Sequence, residues 1–295
     1  MQIKDRTFIV SGGSSGLGLA TTIQLLAHGA HVSIFDLNPP PEDATASVDS
    51  SCILFVEANV TSTPSLEQAL NKTLQWIQTT THKPLGGTIC CAGIGGPALI
   101  LPRQNPAATH DNLKYFDLSV FDRVLAVNLR GTVDLIRLTA PNLALNEPDG
   151  PDGERGIIVV VSSVAAFEGQ VGQLSYSASK GAVRSIVLPL ARELGPRAGV
   201  RVMGIAPGVF ETAMTKRKPA PAQVPSTKDG NRGTAGQKPA VVKSALAGNR
   251  EMVQFPRRMG SAGEFARLVK EIVENPMLNG EVIRLDGGIR LPSRI

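Results

Sequence analysis

One doubly wound α/β domain, with a parallel sheet of about seven strands and helices on both faces, is the fold this sequence predicts. Three observations predict it. Short apolar runs recur at strand length, amphipathic stretches with apolar residues three and four apart separate them, and no second composition regime appears before residues 213–250. Strand alternating with helix implies parallel strands joined by crossover helices, with both sheet faces covered.

The elements follow in order. Thr7 to Val10 is a first strand of β-branched and aromatic residues, and a glycine-rich turn leads from it into a helix from Leu17 to His28. Val32 to Phe35 forms the second strand, after which Pro39-Pro40-Pro41 breaks the chain. Ile53 to Val56, the helix Ser65 to Thr79 and Thr88 to Cys91 continue the alternation. Val120 to Leu145 reads as one long helix, and the turn-rich stretch Asn146 to Arg155 ends it before the strand Ile157 to Val161. A helix from Tyr176 to Leu194 and a strand from Val200 to Ile205 follow, and the helix Ala262 to Asn275 and the strand Glu281 to Leu285 close the fold. Trp76 sits on an amphipathic helix and is expected in the core, and Tyr115 is expected to pack.

Composition excludes several classes. With 295 residues, 42% of them hydrophobic and 19% charged, the chain can bury a large core and is not disordered as a whole. No apolar run approaches the roughly 18 residues of a membrane-spanning helix, and the start runs straight into a strand, so no membrane segment or signal peptide is expected. Cys52, Cys90 and Cys91 lack CxxC spacing, which suits a reducing, intracellular, cytoplasmic setting. His28, His31, His82 and His110 have no partners at ligand spacing, so no metal site is expected.

The net charge of +5 is unevenly placed. Lys216 to Arg250 holds eight basic residues against Asp229 alone, which leaves the rest of the chain near −2. A nucleic-acid binder spreads its basic residues over a face, so nucleic acid is not the expected partner. The Pro/Gly-rich segment 213–250 is instead expected to cover the substrate as a mobile lid able to attract an anionic group, the alternative being a loop kept soluble by its charges. The terminal Ser293-Arg294-Ile295 is a loose variant of the Ser-Lys-Leu peroxisomal address, against the alternative of an ordinary polar tail.

The chemistry concentrates at strand ends. Ser11-Gly12-Gly13-Ser14-Ser15-Gly16-Leu17-Gly18 joins the first strand to the first helix, where Gly12, Gly16 and Gly18 permit a tight turn and bring backbone and helix amides close to a pyrophosphate. Asp36 follows Gly18 by 18 residues, about where a Rossmann-type fold sets a carboxylate on the adenosine ribose. Neither the loop nor residue 37 offers a Lys or Arg for a 2′-phosphate, so NAD is expected rather than NADP.

Ser163 ends the fifth strand, Tyr176 follows 13 residues later and Lys180 four after that, on one helix face with Tyr176. A phenol with an unperturbed pKa of about 10 becomes a proton shuttle when positive charge lies near it, and a serine hydroxyl can steady the charge developing on a substrate oxygen. Asn128 is expected to position a water linking Lys180 to solvent. Singly, each residue has a structural reading as surface aromatic, cap, solvated charge or buried amide; together, ahead of Pro207-Gly208, they point to catalysis.

These residues are where the sequence resembles the short-chain dehydrogenase/reductase family, over nearly the whole chain. Asn146-Glu-Pro-Asp149, Ser163 to Gln173, Tyr176 to Gly181, Arg201-Val-Met203, Ile205 to Gly208 and Asn279 to Gly287 are similar to the branch whose NAD-dependent homotetramers oxidise L-3-hydroxyacyl-CoA and, more loosely, steroid alcohols. The resemblance implies cofactor contacts at Ser15, Leu17, Asp36, Val60, Cys91, Tyr176, Lys180, Phe210 and Thr212, and extends the site to Ser11, Ala92, Gly93 and Pro207. Asn59 stands where the family places an Asp on the adenine amino group, and its amide oxygen is expected to accept that bond. Cys90 replaces the usual Asn of the Asn-x-Ala-Gly element. The alternatives are an NAD-dependent dehydrogenase of a polyketide or terpenoid alcohol, a catalytically silent dinucleotide-binding scaffold, and a basic binding module without turnover.

Overall fold

The computed structural model describes residues 1–102, 109–212 and 252–290. The basic segment 213–250 and the terminal Ser-Arg-Ile, with the expectations attached to them, lie outside the described residues. In chain order the elements are β1 (Thr7–Ser11), α1 (Gly16–Ala27), β2 (His31–Asp36), a short α2 (Glu42–Thr45), β3 (Ile53–Glu57), α3 (Thr63–Trp76), β4 (Leu85–Cys90), α4 (Leu118–Leu125), α5 (Gly131–Ala144), β5 (Gly156–Val161), α6 (Leu174–Ala198), β6 (Val200–Pro207), α7 (Ala262–Glu274) and β7 (Val282–Leu285).

All seven strands form one parallel sheet in the order β3-β2-β1-β4-β5-β6-β7. Alternate strand residues face opposite ways, so each face has its own core. Ile9, Ile158 and Val160 pack against Leu66 of α3, Leu135 of α5 and Val183 of α6 on one face. Phe8, Val10 and Ile34 pack against Leu25 of α1 and Phe265 and Val269 of α7 on the other. The chain winds outward from β1 to β3 and then crosses to β4, which opens a crevice above the carboxyl ends of β1 and β4.

Several element bounds differ from the sequence reading, two of them with a clear structural cause. β4 runs from Leu85 to Cys90 rather than from Thr88 to Cys91, with Gly86 and Gly87 as strand residues. A Cβ on Gly87 would stand 2.6 Å from the carbonyl oxygen of Ile157, so its missing side chain lets β5 approach. The long helix expected over Val120 to Leu145 is interrupted by a π-helical turn, Ala126–Arg130, between α4 and α5. Tyr115, expected to pack, is 78% exposed.

Trp76 is half-buried at the end of α3, with its ring edge-on to His31 at 6.1 Å. Burial first, and Lys83 second, hold the His31 imidazole below its ordinary value, against the pull of Asp5 and Asp49. The folded state therefore binds the His31 proton less readily than the unfolded chain does. As pH falls below about 6.5, the unfolded form is protonated first and stability drops until the folded pKa is passed. His31→Phe removes that penalty, so its urea midpoint should rise relative to wild type between pH 7.5 and pH 5. A constant difference across that range would show that His31 carries no such linkage.

Candidate active site

Above the switch point lies a cavity of about 560 Å³ lined by residues at the carboxyl ends of six strands, from Gly12 and Asp36 through Val60, Cys91 and Ser163 to Pro207. Gly16, Leu17, Asn59, Ala92, Gly93, Phe210 and Thr212 also line it. Ser11 lies just behind: its hydroxyl accepts from the amide of Ala92 at 3.3 Å and its carbonyl accepts from Cys91 at 3.0 Å, tying the ends of β1 and β4 together.

The glycine-rich turn depends on what it lacks. Gly12 has φ +68° and a Cβ there would lie 2.8 Å from the Ala92 nitrogen, while a Cβ on Gly18 would overlap the carbonyl oxygen of Gly12 at 2.1 Å. Ser15 stands at the helix start without a side-chain cap bond, and the first turn of α1 holds no acidic residue. That turn therefore offers backbone amides and a positive dipole end to an anion in the cavity. At the rim, the Asp36 carboxylate accepts from Ser14 N at 3.1 Å and Leu37 N at 2.7 Å, which fixes it against the turn. Bare helix amides, a glycine-rich turn and a fixed carboxylate along one cavity fit a dinucleotide.

Asn59 departs from its sequence reading. Its Oδ1 already accepts from the amide and the hydroxyl of Thr61, at 3.0 and 2.8 Å, in a local Asx turn, so the oxygen is not a free acceptor for an adenine amino group. Cys90 is fully packed in the core, where the family's Asn would need polar partners. Burial raises the thiols of both Cys90 and Cys91, the latter to about 12, so Cys91 meets the cavity as a neutral thiol.

The far end of the cavity brings Ser163, Tyr176 and Lys180 together. Ser163 caps the turn Val164–Ala166, and its hydroxyl accepts from Ala165 N at 3.1 Å. Tyr176, near the start of α6, is half-buried and lines the cavity beside Ser163. Burial raises its phenol and the neighbouring Ser163 hydroxyl opposes that rise. Lys180 is buried, and its Nζ donates to the Val161 carbonyl at 2.8 Å and lies 5.8 Å from the centre of the Tyr176 ring. Burial lowers its ammonium to about 8. The lysine thus spends a donor on β5, and desolvation outweighs its expected lowering of the phenol.

Asn128 lies inside the π turn with no exposure. Its Oδ1 accepts from Ile94 N at 2.8 Å, and its Nδ2 donates to Ile94 O and to Ser179 Oγ, both at 3.0 Å. A Cβ on Gly93 would stand 3.3 Å from both Asn128 Oδ1 and Lys180 Nζ, so Asn128 and Lys180 flank the loop after β4. Its side chain pins that loop to α6, and its carbonyl, which also takes a bond from Thr132, is the remaining group for a water. Sequence reasoning missed Arg123, Val127, Ile94 and Ser162, which also line the cavity. Only Val127 carried a signal, as the neighbour of Asn128. Among the described residues, no three His, Cys, Asp or Glu side chains gather as a metal site, and no helix is long and apolar enough to cross a membrane.

Comparison with known proteins agrees with this geometry. The family model of the short chain dehydrogenases matches residues 6–223. Human 3-hydroxyacyl-CoA dehydrogenase type-2 is 40% identical over 290 residues, covering 98% of this chain and 97% of its own. Ipsdienol dehydrogenase of Ips pini is 32% identical over 297 residues, covering 98% and 99%. Among solved structures, the 3-hydroxyacyl-CoA dehydrogenase type-2 of Mycobacterium avium superposes with a TM-score of 0.78 at 31% identity over the whole of both chains.

Proposed function

The chain belongs to the short-chain dehydrogenases, and we propose that it exchanges a secondary alcohol and a ketone with NAD, using Tyr176 as proton acceptor, Ser163 as the hydrogen-bond partner of the substrate oxygen and Lys180 as the charge behind them. That it is an oxidoreductase of alcohol and ketone substrates with a nicotinamide cofactor follows from the family. The observation that carries the assignment of residues is that Ser163, Tyr176 and Lys180 line one cavity together with the glycine-rich turn and Asp36.

The residues that would hold the cofactor are the α1 amides with Gly12 and Gly16 at the phosphates, Asp36 and Val60 at the adenosine end, and Cys91, Phe210 and Thr212 towards the nicotinamide. When bound, the oxidised nicotinamide supplies the hydride acceptor and a positive charge beside the phenol. Tyr176 accepts the proton of the alcohol as the carbinol carbon is oxidised, and returns it in the reverse direction. Ser163 Oγ–H donates to the substrate oxygen, holding it beside the phenol. Lys180, on the same helix face as Tyr176, favours the phenolate by its charge.

The substrate proposed is a 3-hydroxyacyl-CoA or a steroid-like alcohol, supported by the 40% identity to the human enzyme. A terpenoid alcohol is the second reading, favoured by the full-length similarity to ipsdienol dehydrogenase. Homotetramer assembly is proposed with it, supported by apolar residues left exposed on neighbouring helices: Leu118 of α4, Val133 of α5 and Leu188 of α6.

Initial rates with NAD and NADP over a panel of hydroxyacyl-CoA, steroid and terpenoid alcohols test this reading. Asp36→Ala should weaken NADH binding in a fluorescence titration by about tenfold while NADPH binding holds or improves. The carboxylate accepts ribose hydroxyl bonds and repels a 2′-phosphate. Wild-type protein that already binds NADPH more tightly than NADH would overturn the assignment, with Arg123 as the residue to examine.

A further inference from the structure

We infer that Arg284 and Glu168 form a clamp that positions Ser163 for catalysis, a role outside the Ser163, Tyr176 and Lys180 set. The inference rests on the proposed role of Ser163. Arg284 lies in β7, remote in sequence from the reacting groups, yet its guanidinium joins the loop that carries Ser163 to Asp286, the residue that backs a second cavity-lining loop.

The first loop carries Ser163. After the turn Val164–Ala166, the amides of Phe167 and Glu168 both return to the Val164 carbonyl, at 2.9 and 3.0 Å, so the segment from Ser163 to Glu168 forms one hydrogen-bonded unit. Arg284 Nη1 donates to Glu168 Oε1 at 2.8 Å, and its guanidinium carbon lies 4.9 Å from the centre of the Phe167 ring. Arg184 of α6, the helix of Tyr176 and Lys180, stacks on the same ring at 4.3 Å. Two cations on one ring tie the Ser163 unit to β7 and to α6 at once.

The second loop is Pro207-Gly208, which lines the cavity. Pro207 pairs with Leu285, and Gly208 N donates to Leu285 O at 2.9 Å. A Cβ on Gly208 would stand 2.8 Å from the Cα of Asp286, so this loop lies directly against the residue that Arg284 grips next. Arg284 Nε donates to Asp286 Oδ2 at 2.7 Å and Nη2 donates to Ile289 O at 2.9 Å. All three nitrogens of one planar group are engaged, with Arg284 19%, Glu168 23% and Asp286 7% exposed. A rigid fork bonded to Glu168 on the first loop and to Asp286, which lies against the second, fixes the distance between them, which a lysine with a single flexible nitrogen does not.

Reacting groups must be held to fractions of an ångström, so release of one loop appears in the chemical step rather than in cofactor binding. Glu168→Gln keeps size and leaves Arg284 paired with Asp286, and Arg284→Lys keeps charge and loses the fork. With the panel alcohol turned over fastest, each should lower kcat about tenfold while NADH Kd, read by fluorescence, stays within about twofold. The deciding measurement is the double variant. Ser163→Ala should lower kcat by about a hundredfold or more, and adding Glu168→Gln should lower it by less than about threefold further, because the clamp acts through a hydroxyl already removed. Losses that multiply in full, or a parallel fall in NADH affinity, would overturn the clamp and leave a general structural role. Wild-type kcat in Glu168→Gln beside an impaired Ser163→Ala overturns the clamp alone, whereas wild-type kcat in Ser163→Ala overturns the Ser163 assignment and the clamp with it.

Discussion

Replacing Tyr176 with Phe is expected to lower kcat by about a thousandfold and to leave NADH affinity within about threefold of wild type. The substitution removes one hydroxyl and keeps the ring that half-buries at the start of α6. That hydroxyl belongs to the cavity that Ser163 and Lys180 also line. Without it the alcohol proton has no acceptor of matched position. The lysine nitrogen cannot substitute, because it is held against the Val161 carbonyl at 2.8 Å. Burial already raises the phenol and lowers the ammonium, so in the proposed mechanism the positive charge of an oxidised nicotinamide would offset that desolvation. Steady-state rates and NADH titration separate the two effects. A variant retaining more than about a tenth of the wild-type rate, a barrier increase below about 1.4 kcal/mol, would remove Tyr176 from the mechanism.

Much of this fold was legible because parallel strands leave a strong pattern. Ile157 to Val161 is apolar at every position because both faces of β5 are buried, and no half-exposed strand would read that way. β4 was misplaced for the opposite reason. Its close packing is achieved with Gly87 against Ile157 of β5 and Gly86 against Arg6 and Phe8, and a residue chosen for the absence of a side chain is indistinguishable in sequence from one chosen for a turn. The π turn at Ala126–Arg130 was invisible for a related reason: one extra residue in a helix of well over twenty scarcely disturbs its apolar period.

The site divides along the same line. The glycines, Asp36, Ser163, Tyr176 and Lys180, which the fold brings to one cavity, stood out in sequence because the chemistry expected of them demands those residue types at those intervals. Asn59 shows the limit of residue type as a guide: an amide oxygen suited to an adenine amino group is also suited to Thr61 two residues away, and the nearer partner holds it. Arg123 and the Arg284–Glu168 pair were not legible at all. Each reaches the cavity, or the loops around it, from a distant element, and only the folded chain reveals that meeting.

Arg201→Ala is expected to destabilise the fold by about 3 to 5 kcal/mol without altering cofactor affinity. Arg201 lies near the start of β6, at the end of the sheet away from the cavity, and is 6% exposed. Its Nε donates to Glu154 Oε1 at 2.8 Å, Nη1 donates to the carbonyls of Ile272 and Leu278 at 2.8 Å and Asn275 at 3.1 Å, and Nη2 donates to Val273 O at 2.7 Å. Ile272 and Val273 belong to the last turn of α7, whose carbonyls have no partner within the helix. One guanidinium therefore caps that helix end and pairs with a buried carboxylate. Alanine leaves the carbonyls unmet and strips Glu154 of its arginine, and an unmet buried group costs more than the net worth of the bond it replaces. Arg201→Lys should recover only part of the loss, since an ammonium has three donors on one atom and cannot reach carbonyls spread over seven residues. Urea unfolding should place wild type above Lys and Lys above Ala, with the Ala variant melting on the order of 10 °C lower. A loss below about 1 kcal/mol for Ala would mean that water enters and satisfies the α7 carbonyls, which the closeness of Phe265 and Ile272 in the core on that face argues against.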